Sequence, residues 1–145
     1  MRYWWVNQKQ TYRHEIEGAY MWSPKRNQNE GNNPYYNNMR AVAPGDIIFS
    51  YANGKIIAIG IATSIAYESP IPTEFGDNWV WNNIGWRVSV RYSKLLNKIA
   101  PKDNMQLIVP HLPEKYSPIQ PNGHGNQVYL CSIGENMASV LVNLI

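Results

Sequence analysis

This sequence has one cysteine, Cys131. A single thiol excludes an internal disulfide and any metal site built on several thiolates. Histidine occurs only as His14, His111 and His124, with no pair at helical spacing and no cysteine pattern nearby, so a zinc site is not expected. Gly31, Gly45 and Gly54 lack the Lys-Ser/Thr follow-on of a phosphate loop. Asp46, Asp77 and Asp103 form no acidic cluster of the kind a metal-dependent nuclease uses. Cys131 stands in an apolar strand and reads as a core thiol, not as half of a Cys–His nucleophile. These absences predict a chain with no catalytic centre and no cofactor. No apolar run approaches the roughly 18 residues that cross a bilayer. The opening Met1-Arg2-Tyr3-Trp4-Trp5 runs straight into strand-like sequence without a signal peptide, so the expected setting is cytoplasmic, without membrane partners.

Phenylalanine is also scarce: two Phe stand beside six Trp and ten Tyr. A core selected for packing alone draws on Phe at least as often. Trp and Tyr add flat faces with a polar handle, which suits stacking and interfaces. The net charge of +3 and pI of about 9.0 permit a phosphate-facing surface without requiring one. A length of 145 residues, 44% hydrophobic, predicts one globular domain over 1–145.

Along the chain, Tyr3 to Asn7 reads as a strand. Thr11 to Tyr20 reads as a short helix with Thr11 as its N-cap. Trp22-Ser23-Pro24-Lys25 reads as a loop, because Pro24 biases Ser23 toward extended geometry. Lys25 to Asn33 is polar and expected to be mobile. Pro34 to Val42 reads as a helix stopped by Pro44-Gly45-Asp46. Asp46 to Tyr51 and Lys55 to Thr63 flank Asn53-Gly54, the strongest hairpin signal present. Ile56 to Ile61 reads as a strand buried on both faces or bent at a barrel corner at Gly60. Ser69 to Trp81 is a long loop and hence a functional candidate. Trp86 to Tyr92 alternates as a half-buried strand with Arg87 and Arg91 outward. Pro101 to Val109 reads as a helix, Leu112 to Gly125 as a loop, Gln127 to Ile133 as a strand and Glu135 to Leu144 as a closing helix. Non-local strands with helices around them predict an α+β fold, a small twisted, partly closed β-barrel with flanking short helices.

Four segments in order carry a family likeness: Tyr3-Trp4-Trp5-Val6-Asn7; Trp22-Ser23-Pro24-Lys25-Arg26; Val42-Ala43-Pro44-Gly45-Asp46 through Tyr51 with Gly60-Ile61-Ala62; and Lys115-Tyr116-Ser117-Pro118-Ile119-Gln120 with Asn122-Gly123. Together they resemble the EVE-like domain of the PUA superfamily, as found at the N-terminus of HNH-type modification-dependent restriction endonucleases. The resemblance implies a PUA-like or EVE-like barrel whose concave pocket holds a flipped 5-methylcytosine or 5-hydroxymethylcytosine of DNA. It implies a non-catalytic sensor, with a fused C-terminal nuclease that these residues do not include. YTH domains, which read methylated adenine in RNA, are more distant relatives with an analogous cage.

A flipped base loses stacking worth a few kcal/mol, which aromatic faces must replace. The candidate walls are Pro24, Trp81 and Tyr129, with Trp22 as a further wall or as support for Pro24. Trp81 is preferred to Trp79 because its spacing to Gly85-Trp86 fits the resemblance. The competing reading of Trp81 and Tyr129 is core packing; Trp4, Trp5 and Trp86 are assigned to core or strand packing. Asn7, Ser23 and Ser50 are candidate readers of the base edge, against the plainer reading of turn and strand-end residues. Arg13, Lys25, Arg26, Lys115, Ser117 and Asn122 are candidate phosphate contacts. A buried methyl group adds only about 0.8 kcal/mol; with easier flipping of a modified base added to it, discrimination of roughly 10-fold is expected, with tolerance of a hydroxymethyl group. A reader of modified RNA, an enzyme acting on a flipped base and a protein-interaction domain are the alternatives.

Overall fold

Tyr3–Asn7 form the first strand, β1, as their aromatic and β-branched side chains predict. The computed structural model describes residues 1–76 and 84–145. Within them follow α1 (Tyr12–Gly18), β2 (Tyr20–Pro24), α2 (Pro34–Asn37), β3 (Ile47–Ala52), β4 (Lys55–Ala62), β5 (Tyr67–Pro70), β6 (Ile84–Ile99), α3 (Met105–Ile108), β7 (Leu130–Ile133) and α4 (Glu135–Asn143). Short 3-10 turns join several of them.

The strands form a mixed sheet in the order β2-β6-β4-β3-β1-β7, with β5 added on β6. β1 is an interior strand, parallel to β3 and antiparallel to β7. The β3–β4 hairpin turns on Asn53 (φ 53°) and Gly54 (φ 81°), the two positive φ values that a type I′ turn requires. β6 pairs with β2 and β5 along its first half and with β4 along its second, and so carries the sheet round a bend. The outcome is a curled α+β half-barrel with short helices against it.

Both faces of β1 are covered, which accounts for its adjacent tryptophans. Trp4 and Val6 face a core with Met21, Met39, Ile48, Val88 and Leu130. Trp5 faces the other way, into a core with Phe49, Ile56, Ile108, Met137 and Leu141. Side chains alternate along a strand, so consecutive buried residues require two buried layers. Cys131 is buried, as read from the sequence.

Several expectations are corrected. The segment at Trp22 is not a loop: β2 runs to Pro24. A proline is tolerated there because it sits at the end of an edge strand, and its partner is Gly85. A Cβ at Gly85 would lie 2.1 Å from the Ser23 carbonyl oxygen, so only glycine lets these strands approach so closely. The last strand starts at Leu130, which leaves Tyr129 just ahead of it. β4 is not buried on both faces; Ile57 and Ile59 are half-buried and Ile61 is exposed. Thr11 makes no capping bond to the helix backbone. The helix read from Pro34 is an α-turn followed by a 3-10 turn, and Asn33 is its side-chain cap, accepting from the Tyr35 and Tyr36 amides. The polar stretch before it is tied by its own asparagines: Asn33 Nδ2 donates to Asn27 Oδ1 at 2.8 Å, and the Gly31 amide to Asn29 Oδ1 at 2.9 Å.

Candidate functional site

The sheet path ends at β2 on one side and β7 on the other, and no ladder joins these edges. Side chains bridge them instead. The Trp22 amide on β2 donates to Glu15 Oε1 (2.9 Å) and to the Tyr129 hydroxyl (3.0 Å). The Tyr129 hydroxyl donates in turn to Glu15. Thr11 Oγ1 donates to the other carboxyl oxygen at 2.7 Å. Strands in a ladder lie about 4.8 Å apart; a bridge made of side chains holds its edges wider and leaves room.

That room is an open cavity of about 390 Å³. Its walls are residues 7–11 at the exit of β1, Trp22 to Pro24 of β2, Asn33 and Tyr36, Phe75, and residues 127–129 ahead of β7. The volume lies within the range of small-molecule sites, and the wall is mixed: aromatic Trp22, Tyr36, Phe75 and Tyr129 stand among the amides Asn7, Gln8, Gln10, Asn33 and Gln127. Tyr36, Phe75 and Tyr129 are half-buried and offer their rings to the cavity. The Tyr36 and Tyr129 rings meet nearly edge to face, with centroids 6.4 Å apart.

Beneath the cavity runs a second polar chain. Ser50 Oγ donates to Gln8 Oε1 at 2.6 Å, Gln8 Nε2 to the Tyr92 hydroxyl at 3.0 Å, and that hydroxyl to the Tyr20 carbonyl at 3.2 Å. Both ends of the Gln8 amide are thereby fixed, and with them the floor. Asn7 is fixed likewise: its Nδ2 donates to the Asn126 carbonyl and its Oδ1 accepts from the Lys9 amide.

The electrostatics centre on Glu15, which is fully buried. Burial pushes its carboxyl up to about 7, against the opposing pull of hydrogen bonds from Tyr129, Trp22, Thr11 and Gln8. Burial, and next the charge of Glu15, drive the Tyr129 and Tyr92 hydroxyls well above their ordinary value. Both stay protonated donors at any physiological pH.

The structure brings Asn7, Trp22, Ser23, Pro24 and Tyr129 to one cavity. Trp22 contributes from behind; its ring is 2% exposed and its indole N–H donates to the Ser69 carbonyl at 3.2 Å. Ser50 is not at the wall, because it lies under Gln8 and is spent on it. Trp79 and Trp81 lie outside the described residues. Among the phosphate candidates, Lys25 and Arg26 line a second open hollow of about 520 Å³ with Asn32, Asn37 and Arg40. It adjoins the first through the neighbouring residues Pro24–Lys25 and Asn32–Asn33. Lys25 pairs with Glu68 at 2.7 Å and lies 4.5 Å from the centroid of the Trp86 ring, with the Arg40 guanidinium 5.4 Å from it. Arg13 stands elsewhere, in a groove with Lys94 and Lys98. Ser117 Oγ is spent on the Ile119 carbonyl and Asn122 Oδ1 on the His124 amide, while Lys115 is exposed.

Sequence reasoning missed Gln8, Tyr36, Phe75 and, above all, Glu15. The signal for Tyr36 was present in Asn33-Pro34, a cap followed by a proline at the first helical position. Glu15 gave no such signal, since a lone Glu on a short helix reads as a solvated face. Among the described residues no group of His, Cys, Asp and Glu is placed to hold a metal ion, and no helix is long and apolar enough to cross a membrane.

No protein-family profile matches this chain, and no curated protein sequence matches it. Solved structures do. Human THYN1, in complex with DNA containing 5-methylcytosine, superposes with a TM-score of 0.65 at 14% identity, covering 99% of this chain and 97% of that one. The Pho92 YTH domain, in complex with m6A, gives a TM-score of 0.62 at 13% identity over 99% of this chain and 84% of that one. A protein of Pseudomonas putida gives 0.62 at 18% identity, with 98% of each chain covered. At such identities the likeness is one of fold, and the fold is PUA-like.

Proposed function

We propose that this chain reads modified nucleic acid by taking one unstacked base into the cavity between β2 and β7. The observation that carries the reading is the cavity's composition: half-buried Tyr36, Tyr129 and Phe75 rings over a floor of immobilised amides. Such faces replace lost stacking at roughly 1–3 kcal/mol per base. The clamped Asn7 side chain, with Gln127, presents polarity to the base edge, while buried Gln8 and Ser23, whose side chains are spent on Ser50, Tyr92 and the Pro24 carbonyl, shape the wall beneath. Lys25, Arg26 and Arg40 in the adjoining hollow are placed to meet the phosphates on either side of the extruded nucleotide. Trp81, from the sequence reading, is retained as a further wall.

The preferred substrate is DNA carrying 5-methylcytosine or 5-hydroxymethylcytosine, and the preferred role is the sensor of a modification-dependent HNH endonuclease whose nuclease is a separate segment. The fold shared with THYN1 supports the DNA reading, and the fold shared with the YTH domain supports modified RNA as the second one. Binding of matched oligonucleotides tests both. The set comprises DNA with cytosine, 5-methylcytosine or 5-hydroxymethylcytosine, and RNA with or without N6-methyladenosine, each against wild type, Tyr36→Ala and Trp81→Ala. The expected result is roughly 10-fold tighter binding to both modified DNAs, lost in Tyr36→Ala. A preference for the methylated RNA transfers the reading to RNA. Equal binding throughout, or thousands-fold selectivity, defeats this account of the pocket.

A further inference from the structure

We infer that Glu15 is a positioning residue for this pocket, its buried carboxylate gathering wall residues from separate segments and holding them in the arrangement that accepts a base. The inference rests on the reading of the cavity given above. Glu15 lies behind the wall, not in it. Yet its partners are wall residues throughout: Trp22 through the amide, Tyr129 through the hydroxyl, and Thr11 at the start of α1. Gln8 of the floor adds a further hydrogen bond. One side chain therefore ties α1, β2, the end of β1 and the approach to β7 at the one place where backbone pairing does not. A carboxylate suits this position because it only accepts, and its hydrogen bonds to neutral donors are charge-assisted.

Protonation changes that count. A carboxylic acid must donate from one oxygen, so one of the donors around it loses its acceptor or has to turn. The groups facing Glu15 are Tyr20 of β2, Tyr92 of β6 and Tyr129, all with hydroxyls held protonated in the neutral range. Arg87 and Glu74 act on Tyr20. His14, next to Glu15 on α1, is directed to Phe75, its ring centroid 6.2 Å away. Glu15 itself is held up near neutrality by burial, so its ionisation falls where the seam can respond to it.

The test has two readouts. The first needs no nucleic acid: the Trp22 backbone amide, 2.9 Å from Glu15 Oε1, is followed by ¹⁵N–¹H NMR from about pH 3.5 to 8.5, a span that includes the ordinary carboxylate range, in wild type, Glu15→Gln and His14→Gln. The expected result is a titration with a midpoint near 7 in wild type and His14→Gln, absent in Glu15→Gln. The second is binding of the 5-methylcytosine oligonucleotide at pH 6 and pH 8. Loss of one positioning hydrogen bond weakens binding roughly fivefold. Wild type at pH 6 is expected to fall to the level of Glu15→Gln, and the variant to be indifferent to pH. Tyr129→Phe, which keeps the ring and removes one donor, gives the same loss if Glu15→Gln folds poorly. A Trp22 amide that titrates in the ordinary carboxylate range overturns the inference, as does unchanged binding in both variants. If wild type shows no preference for the modified base, the reading of the pocket fails and this role with it. The amide titration then still reports whether Glu15 holds the seam.

Discussion

Two buried carboxylates hold two corners of this molecule, and they are tuned in opposite directions. Asp46, at the start of β3, accepts from the Arg2 amide (2.9 Å), the Trp4 indole (3.0 Å) and the Ala43 amide (3.0 Å). Burial works to raise its pKa, but hydrogen bonds led by that of Trp4 outweigh burial, and the group lies below the ordinary carboxylate value. Glu15 accepts a similar set of hydrogen bonds, and burial wins. Asp46 remains ionised through the neutral range and acts as a fixed staple between β1, β3 and the turn before β3. Glu15 stands near its own midpoint and can respond. The number of hydrogen bonds does not separate a structural carboxylate from a responsive one; the balance against desolvation does.

The largest expected effect breaks the staple. Asp46→Ala removes three hydrogen bonds and leaves the buried Trp4 indole N–H unpaired, a loss of about 3–5 kcal/mol by urea unfolding. The next effect sharpens the contrast through pH. A carboxyl raised from 4.5 to about 7 on folding contributes stability that is present in full below pH 4.5 and lost as pH rises toward 7. The span is about 3 kcal/mol, an upper figure for a buried group. Asp46 has the opposite sign: its contribution holds at neutral pH and is lost as pH falls through its depressed pKa. Stability measured between pH 4.5 and 8 should therefore fall less with rising pH in Glu15→Gln than in wild type, while Asp46→Asn should flatten only the acid limb. An equal slope in wild type and Glu15→Gln would remove the distinction.

A smaller effect concerns the floor. Ser50→Ala takes the donor from Gln8 Oε1 and is expected to cost about 1–2 kcal/mol, seen as a lower urea midpoint. Smallest in stability is Arg40→Ala, a surface change expected within about 0.5 kcal/mol. Its effect appears instead in nucleic-acid binding, as a reduction of about 1 in the slope of log affinity against log salt. An unchanged slope would take Arg40 off the phosphate path.

The elements most legible in the sequence are those whose signal is local. Asn53-Gly54 dictates its own turn, and the alternation of Trp86 to Tyr92 marks a strand whatever lies beyond it. The strand at Trp22 was illegible because Pro24 reads as a breaker until the edge position and the Gly85 opposite are known. The same holds for the site. Trp22 to Pro24 and Tyr129 were legible as aromatic and apolar candidates, and the structure places them in one cavity with Asn7. Ser50, read as a base-edge contact, proved one layer too deep, since sequence gives no depth. Glu15 was illegible altogether: its significance comes from partners on four segments, and no spacing along the chain encodes that.

The interior position of β1 has a consequence for how the chain is made. Trp5 must pair with Phe49 on one side and Cys131 on the other. On a ribosome adding ~5–20 residues per second, the first strand waits several seconds for its last neighbour. Through that interval β1, with its adjacent tryptophans, has one edge unpaired and one face uncovered by α4. Nascent chains are expected to be most prone to aggregation and to chaperone capture in this window, and refolding to run in the slower, millisecond-to-second regime of non-local topologies.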